Sequence, residues 1–418
     1  MTNAALPNGI TASFMDPAVQ DDPFDLYAEM HAKCPVHRLP ETGLIMVTKY
    51  DDVRAVMTDS SVFSSQPSGG AGRQTEIALA HAEYMATHGW VKARTLQRTD
   101  PPEHTRYRKL LGRVFTNRQV KQMAPRIDEI ANMLVDRFID QGTCEWVDDF
   151  ALPLPGIFIA EQLGLEADQI DVFKMWADSM LAMAQRVLTL EEALEAAKTE
   201  VEAQQFMAAE FEKRRTNPSD DLISALVHAH GDDEEPFTME ELQDLMHQLI
   251  TGGFETTTAA LSTGMWLLLR YPEQQQMLRD DPALIPNFIE ESLRFDSPVA
   301  GLWRTAACPT RVRGIDIEVG QPVMARYAAA NRDADQFDDP DRFDIMRTNA
   351  NTHVAFGVGA HFCIGAALAR QELLSSFQAV IARMDDLALA EPLDELPHQF
   401  SFFLRPMKRM QLSFTKTT

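Results

Sequence analysis

The sequence predicts a mainly α-helical protein with small β-sheets, because the spacing of its apolar residues changes along the chain. Helical periodicity dominates residues 101–271. Segments with the alternation typical of strands are shorter and occur at residues 43–48, 311–324 and 400–414. The sequence has no internal repeat and no long linker, since the nearest candidate, PSGGAGRQ at residues 67–74, is short. A single domain over residues 1–418 is therefore expected.

The clearest helix is predicted to begin after Thr238, which is a good N-cap and forms a capping box with Glu241. Its apolar pattern runs to just before Pro272, about 33 residues or roughly 50 Å at 1.5 Å per residue. Gly252 and Gly253 interrupt this helix, and each interior glycine costs about 1 kcal/mol relative to alanine. Two explanations for these glycines agree equally well with the sequence of this segment: a neighbouring helix packs closely against the turn, or something flat or bulky lies against it.

The composition argues against some classes of function. Acidic residues outnumber basic ones by 62 to 38, for a formal net charge of −24, whereas nucleic-acid binding needs a basic surface. The first residues show no export signal. The most apolar stretches, such as residues 265–269, are far shorter than the roughly 20 residues of a membrane span. We expect a cytoplasmic, unanchored monomer that binds neither nucleic acid nor membranes.

The four cysteines, Cys34, Cys144, Cys308 and Cys363, show no CxxC or zinc-type spacing. Three of them are expected to be ordinary small side chains. Cys363 differs, because a glycine-bearing loop precedes it and an amphipathic helix begins just after it. Unpaired N–H groups and the positive end of the helix dipole favour a thiolate there. A metal ligand is one interpretation of this cysteine, and an ordinary buried thiol beside a helix start is the other.

The residues around Cys363 form the specific pattern Phe356-x-x-Gly359-x-x-x-Cys363-x-Gly365, with Gly357 also in the loop. This pattern resembles the haem-binding loop of the cytochrome P450 family. The resemblance implies that Cys363 is the axial thiolate ligand of the iron of haem b, and that Phe356 and Gly365 belong to the cofactor-binding loop. It extends over nearly the whole chain and implies the family fold, a triangular helical prism around a buried haem.

A second motif supports the same family. EESLRF matches the ExxR element, with Glu291 and Arg294 three residues apart on one helical face. The nearby PDRFD resembles the family segment whose arginine, here Arg342, completes that buried network. The resemblance implies that these three residues act in folding and haem retention. Taken alone, Glu291 and Arg294 would be an ordinary surface ion pair.

Four groups are implied to bind the haem carboxylates. DPPEHTRYRKLLGRVFT at residues 100–116 resembles the family helix that does so, and its His104 and Arg108 lie one helical turn apart. Arg304, in SPVAGLWRTA, and His361 occupy two further positions used in this way by soluble bacterial members. Individually each would be a solvated surface residue, whereas together they form a coherent set.

The resemblance also implies a function for the long helix. Gly252-Gly253-Phe254-Glu255-Thr256 resembles the oxygen-binding turn of the family's central helix. The glycines would let the helix lie close to the haem and leave room for O2. Glu255 and Thr256 correspond to the acid–alcohol pair that delivers protons. Many relatives carry aspartate at the acid position, so Glu255 is a departure with a longer side chain.

The resemblance implies a monooxygenase that uses O2 and two electrons from NAD(P)H. No flavin or dinucleotide motif is visible, so an iron–sulfur ferredoxin and its NAD(P)H-dependent reductase are expected as partners. Arg106, Lys109 and Arg113 are candidates for a ferredoxin-docking face, or they form an ordinary solvated face. Two other functions compete. A peroxygenase or nitric-oxide reductase would not need Glu255 and Thr256, and a noncatalytic haem sensor would show no substrate-linked NAD(P)H consumption.

The family's substrate-binding segments correspond here to mainly apolar residues. The candidates for the pocket are Met180, Met183, Leu249, Val299, Ala300 and Phe402. They predict an apolar small molecule as the substrate, such as a terpenoid, steroid or aromatic compound. Hydroxylation is the expected reaction. The same residues could equally belong to the core.

Overall fold

The computed structural model describes residues 10, 12–40, 42–67, 76–165, 169–185, 188–230, 235–393, 397–399 and 401–417. Over this part of the chain the fold is mainly helical with small sheets, as the sequence predicts. Most of the candidate linker at residues 67–74 and the first residue of the predicted strand at 400–414 lie outside the described residues.

The described residues form fifteen α-helices. They are α1 (Pro17–Asp21), α2 (Phe24–Lys33), α3 (Tyr50–Thr58), α4 (Glu76–His88), α5 (Glu103–Val114), α6 (Asn117–Asp136), α7 (Pro153–Gln162), α8 (Ile170–Gln185), α9 (Leu190–Thr216), α10 (Leu222–Val227), α11 (Met239–Arg270), α12 (Pro272–Asp280), α13 (Ile285–Phe295), α14 (Tyr327–Ala330) and α15 (Ala366–Arg383). A π-helical segment (Val147–Ala151) precedes α7.

The same part of the chain contains ten short strands. They are β1 (Val36–Arg38), β2 (Ile45–Val47), β3 (Phe63–Ser64), β4 (Thr143–Glu145), β5 (Leu302–Ala306), β6 (Thr310–Val312), β7 (Ile315–Ile317), β8 (Pro322–Ala325), β9 (Met384–Leu389) and β10 (Gln411–Lys416). One sheet has the order β1-β2-β8-β5-β3, a second has the order β4-β10-β9, and β6 and β7 form a hairpin. In the largest sheet, only β2 and β8 pair in parallel.

The chain divides into two compact units. Unit 1 comprises Met1–Ser68, Ala124–Pro153 and Thr256–Thr418, and unit 2 comprises Gly69–Met123 and Leu154–Glu255. All ten described strands belong to unit 1, whereas the described residues of unit 2 form helices and loops. The single domain over residues 1–418 stays a prediction.

Strands β2 and β8 of the five-stranded sheet of unit 1 are buried on both faces. Ile45 and Val323 pack in one apolar cluster, whereas the alternate residues Met46 and Met324 pack in another. Successive side chains of a strand point to opposite faces, so the period of two explains the division. Because both faces are covered, these strands read as continuous apolar runs and give a weak sequence signal.

The longest helix agrees with its prediction. The Thr238 amide donates to Oε2 of Glu241 at 2.9 Å, and the Glu241 amide donates to the Thr238 hydroxyl at 3.2 Å, which is the predicted capping box. The helix then continues to Arg270 and ends before Pro272, the first residue of α12. Among the described residues, no helix is both long and apolar enough to cross a membrane.

Candidate active site

The loop that precedes Cys363 has a backbone that favours glycine at two positions. Gly357 and Gly359 have φ angles of +71° and +72°, a region that L side chains rarely adopt. A Cβ atom at Gly359 would also lie 2.9 Å from Cγ2 of Thr58. The Cys363 amide donates to the Phe356 carbonyl at 2.9 Å and so closes the loop. The glycine pattern of the motif therefore has a structural cause.

The Cys363 thiol is exposed and stands three residues before the first residue of α15, Ala366. Gly365 caps this helix, and a Cβ atom added there would lie 3.9 Å from the cysteine sulfur. Glycine therefore leaves one side of the sulfur open. The thiolate of a cysteine in such a loop is a suitable ligand for haem iron. The donor chemistry of the loop fits a haem.

The sheet of unit 1 brings two predicted carboxylate-binding residues to one edge. Ser64 of β3 pairs with Thr305 of β5, which follows Arg304. The next residue along, Ser65, has its hydroxyl 2.9 Å from Nε2 of His361. Arg304 is only 6% exposed. Arg304 thus neighbours the β5–β3 strand pair, and His361 of the cysteine loop is bonded just beyond β3, so both basic side chains fit the carboxylates of a haem.

The other two predicted carboxylate-binding residues lie in unit 2. His104 is buried on α5, and Arg108 is half-buried one turn later on the same face. Helix α5 is attached to the start of α11 through Glu241, whose carboxylate accepts hydrogen bonds from Arg106 at 2.7 Å and from Tyr107 at 2.8 Å. The position of His104 and Arg108 is thereby fixed within unit 2.

The contacts of α5 change the predicted docking face. Arg106 is half-buried and forms an ion pair with Glu241, so its charge is neutralised within unit 2. Arg113 donates to the His230 carbonyl at 2.5 Å. Lys109 is exposed. Arg106 therefore contributes to the packing of α5 on α11 and is not an ordinary solvated residue, whereas the ferredoxin-docking face stays a prediction.

The two glycines of α11 have different surroundings. A Cβ atom at Gly253 would lie 3.0 Å from Cδ1 of Ile159 on α7, so close helix packing explains this glycine. A Cβ atom at Gly252 would meet only the Gln97 side chain, at 3.9 Å. The helix stays α-helical through this turn, and Glu255 and Thr256 are half-buried. Close helix packing therefore explains Gly253, and the role of Gly252 beside the haem stays a prediction.

The predicted Glu291–Arg294 pair is present and fully buried on α13. The Arg294 guanidinium donates to both carboxylate oxygens of Glu291, at 2.7 and 2.8 Å. It also donates to the Asn331 carbonyl at 2.8 Å, and the Asn331 side chain accepts the Val354 amide at the start of the cysteine loop. This network therefore anchors the loop.

The prediction that Arg342 completes this network is wrong. Its side chain is 69% exposed and lies 3.6 Å from Asp344, while its backbone carbonyl accepts a hydrogen bond from Arg294. The second arginine at Glu291 is Arg347, whose Nε donates at 3.2 Å and whose side chain is 8% exposed. The turn at Arg342 directs its carbonyl inward and its side chain outward, so the arginine five residues later fills the position.

Comparison with known proteins agrees with this geometry. A family profile described as Cytochrome P450 matches residues 167–414. Cytochrome P450 107B1 of Saccharopolyspora erythraea is 35% identical over 414 residues, which cover 98% of each chain. The chain belongs to the cytochrome P450 family. It is a P450 monooxygenase whose cofactor is haem b, as the cysteine loop predicts.

Two further P450s extend the comparison. The vitamin D(3) 25-hydroxylase of Pseudonocardia autotrophica is 35% identical over 395 residues, which cover 94% of each chain. The structure of CYP109E1 from Bacillus megaterium in complex with corticosterone aligns with a TM-score of 0.81 and 29% identity, over 94% of this chain and 98% of that one. The P450 fold is thus shown by sequence and by structure.

A buried acid next to the predicted oxygen-binding turn escaped the sequence analysis. Glu372 of α15 is 2% exposed and accepts a hydrogen bond from the Thr257 hydroxyl at 3.4 Å. Burial raises the pKa of Glu372 to about 8. This P450 therefore keeps a protonated carboxyl beside the residue that follows Thr256. A charged residue on the buried face of a predicted helix, within ALARQELL, was the available signal.

The polar residues that hold the loop before α5 were also missed. The Asp244 carboxylate accepts hydrogen bonds from the Thr95 hydroxyl at 2.5 Å and from Arg98 at 3.2 Å. One turn later, the Gln248 side chain accepts the Gln97 amide at 3.0 Å. Residues 244, 248, 252 and 256 share one helical face, so this loop lies along the face of Gly252. Polar residues within the apolar pattern of α11 were the signal.

The predicted pocket residues of unit 2 lie on two helices of the P450. Met180 is buried on α8, whereas Met183 on the same helix is 37% exposed. Leu249 is half-buried on α11.

The predicted pocket residues of unit 1 divide between the faces of the largest sheet. Ala300 and Phe402 pack in the cluster that contains Met324, and Phe402 lies 6.5 Å from the Trp303 ring. Val299 packs against the opposite cluster. By strand alternation Leu302 shares the face of Arg304, and it is 38% exposed.

Proposed function

We propose that this P450 is a ferredoxin-dependent monooxygenase that hydroxylates an apolar small molecule, such as a terpenoid, steroid or aromatic compound. The observation that carries the proposal is the pairing of an intact cysteine loop with a helical turn that bears both Glu255 and Thr256. A peroxygenase, a nitric-oxide reductase or a haem sensor would not need that acid–alcohol pair.

In this proposal each residue of the site has one task. Cys363 holds the iron, and His104, Arg108, Arg304 and His361 bind the haem carboxylates. The haem, when bound, supplies the oxidising chemistry. Thr256 holds a hydrogen-bonding water beside the oxygen site, and Glu255 brings protons from solvent. The protein thereby supplies position and protons.

Electrons come from outside the chain in this proposal. An iron–sulfur ferredoxin and an NAD(P)H-dependent reductase supply them, in the cytoplasm, to a monomeric enzyme. Because Arg106 is ion-paired, Lys109 and Arg113 are the two exposed basic residues of α5 that we propose for contact with a ferredoxin. A stopped-flow measurement of reduction by a bacterial ferredoxin, with Lys109→Gln as the variant, tests the contribution of that face.

Thr256→Ala tests the oxygen-activation role. The variant should fold and bind haem, since alanine is the better helix former, but it should lose coupling. Hydrogen peroxide released per NADH oxidised should rise, and product should fall by about a hundredfold or more, since general acid–base catalysis contributes roughly 10²–10⁴-fold. Thr251→Ala is the matched control, because the Thr251 hydroxyl already donates to the His247 carbonyl at 2.7 Å. Wild-type coupling in Thr256→Ala would contradict the proposed relay.

The substrate class follows from the apolar residues and from two related P450s. One relative is a vitamin D(3) 25-hydroxylase, and one similar structure contains corticosterone. Steroid-like compounds should therefore shift the Soret band by displacing the haem-bound water, and Leu302→Ala should weaken that binding. Val319→Ala is the control, because this apolar side chain is 60% exposed and lies between β7 and β8, outside the predicted pocket residues. A response to charged, strongly polar compounds alone would refute this substrate class.

A further inference from the structure

Four side chains of unit 1 form a cluster behind the cysteine loop that the ligand motif does not include. They are Glu290 on α13, His353 and Phe356 in the loop, and Arg370 on α15, and we call them the Arg370 cluster. Glu290 neighbours Glu291 in sequence but has different partners.

Arg370 has a fixed orientation in the cluster. Its guanidinium donates to both carboxylate oxygens of Glu290, at 2.6 and 2.8 Å, and this two-point bond fixes the guanidinium plane. The same group lies over the Phe356 ring, 4.5 Å from its centroid. That distance is within the range of a cation–π interaction. Arg370 is therefore the charged group of the cluster that contacts Phe356.

Glu290 is held from a second side by His353. Nδ1 of His353 accepts the Ala355 amide at 3.1 Å, so this nitrogen carries no proton. The remaining ring proton is then on Nε2, which lies 3.3 Å from Oε2 of Glu290. Although burial alone raises the pKa of Glu290, the bonds from Arg370 and His353 lower it to about 2. The cluster thus joins the Arg370 cation, the Glu290 carboxylate and the His353 ring.

Phe356 connects the cluster to the cysteine. Its carbonyl accepts the Cys363 amide at 2.9 Å, and its ring lies 6.3 Å from that of Phe362, the residue before the cysteine. Any change in the position of Phe356, or in the charge over its ring, therefore reaches the backbone and surroundings of the sulfur. A third of the Arg370 side chain is exposed, so solvent weakens but does not remove its field.

We infer that Arg370 and Glu290 are positioning residues that act through Phe356 to set how strongly the Cys363 thiolate donates electrons to the haem iron. The Arg370 cation stabilises negative charge at the sulfur and at the reduced haem, and the Glu290 carboxylate opposes that effect. The inference rests on Cys363 being the haem ligand.

Opposite shifts of the haem reduction potential test this inference. Arg370→Gln removes the cation and should lower the midpoint potential of the ferric/ferrous couple. Glu290→Gln keeps a hydrogen-bond acceptor for Arg370 but leaves its charge uncompensated, so it should raise the potential. Arg370→Lys keeps the charge without the two-point bond and should lie between wild type and Arg370→Gln. Spectroelectrochemical titration of the purified holoenzymes measures all three.

Arg279→Gln is the matched control. Arg279 is also ion-paired and packed at α15, with bonds to Asp385 at 2.7 Å and to the Ile381 carbonyl at 3.1 Å. Ile381 lies roughly 16 Å farther along the helix than Arg370, at 1.5 Å per residue. Loss of the Arg279 charge should leave the midpoint potential of the haem unchanged. Shifts of the same sign in Arg370→Gln and Glu290→Gln, or no shift in either, would overturn the inference.

The carbon monoxide spectrum separates this inference from the assignment of the ligand. All variants should keep the red-shifted Soret band of a thiolate-ligated haem. If the wild type lacked that band, Cys363 would not be the ligand and the proposed function itself would fail. If the wild type had the band and the two charge variants did not shift the potential in opposite directions, only the role of Arg370 and Glu290 would fail.

Discussion

The cysteine loop at residues 353–365 and the α11 turn at residues 252–258 both carry residues expected to act at the haem, yet they are specified differently. The loop depends on glycines with positive φ, on backbone hydrogen bonds, and on the buried contacts of Arg294 and Arg370. The α11 turn keeps an ordinary helical backbone, and only Gly253 is demanded by packing.

This difference separates folding from chemistry. In the loop, the residues that place the sulfur also hold the backbone, so substitutions should affect ligation and stability together. In the α11 turn, helix formation does not depend on Glu255 or Thr256, so substitutions should change the reaction and leave the fold intact. The predictions below test this separation, beginning with the largest effect.

Cys363→Ser should abolish the red-shifted Soret band of the reduced, carbon monoxide-bound enzyme, because serine is a poor ligand for haem iron. The absorption spectrum of the purified variant measures the loss. Cys308→Ser, at a half-buried cysteine outside the loop, should leave the band unchanged. A wild-type spectrum of the histidine-ligated kind would contradict the assignment of Cys363.

Arg347→Gln should destabilise the protein by about 3 kcal/mol, because it removes one partner of the buried Glu291 carboxylate. Arg342→Gln is the matched variant in the same segment and should change the free energy of unfolding by less than about 0.5 kcal/mol, since that side chain is exposed. Denaturant unfolding of both variants measures the difference. Equal losses would restore Arg342 to the network.

Titration of Glu372, which lies beside the α11 turn, should make the free energy of unfolding depend on pH. Its pKa is raised from 4.5 to about 8 in the folded state, so the folded protein binds more protons than the unfolded chain between these values. Stability should fall by about 2–3 kcal/mol from pH 6 to pH 9 and then level off. In Glu372→Gln this component should be absent. A wild-type-minus-variant difference that stays constant with pH would contradict the buried, protonated carboxyl.

The smallest effect should distinguish the two glycines of α11. Gly253→Ala should lower the free energy of unfolding by about 1 kcal/mol, because the new Cβ atom would lie too close to Ile159. In the haem-free protein, Gly252→Ala should instead stabilise the helix by about 0.5–1 kcal/mol, since alanine is the better helix former and the nearest protein atom to its Cβ would be Nε2 of Gln97, at 3.9 Å. Unfolding curves of the two variants measure the signs. A loss at Gly252 equal to that at Gly253 would show that packing governs both.

Local sequence rules were sufficient where the structure is determined by neighbours in the chain. Thr238 and Glu241 form the predicted capping box, and Glu291 and Arg294 meet because three residues separate them on one helix. Arg342 was misassigned because the sequence does not say which of two nearby arginines turns inward. That choice depends on the fold of the segment between residues 338 and 347.

The short strands and the Arg370 cluster could be identified only from the folded structure. Strands β1, β3, β4, β5 and β9 were not predicted, because short strands acquire hydrogen-bond partners only from distant parts of the chain. Glu290 reads as a surface acid in EESLRF, and its partner Arg370 follows 80 residues later. Such a pairing has no local signal. Sequence motifs therefore identified the cysteine loop, whereas the residues that support the loop could be identified only from the folded structure.

The two adjacent glutamates of α13 also have a consequence for protein engineering. Glu290 belongs to the Arg370 cluster, whereas Glu291 bonds to Arg294 and Arg347. The two carboxylates point in different directions because neighbouring residues on a helix differ by about 100°. Inserting or deleting one residue in α13 would misalign both contacts at once. Chimaeras built from two related enzymes should therefore take residues 285–370 from a single parent, so that recombination junctions fall outside this block.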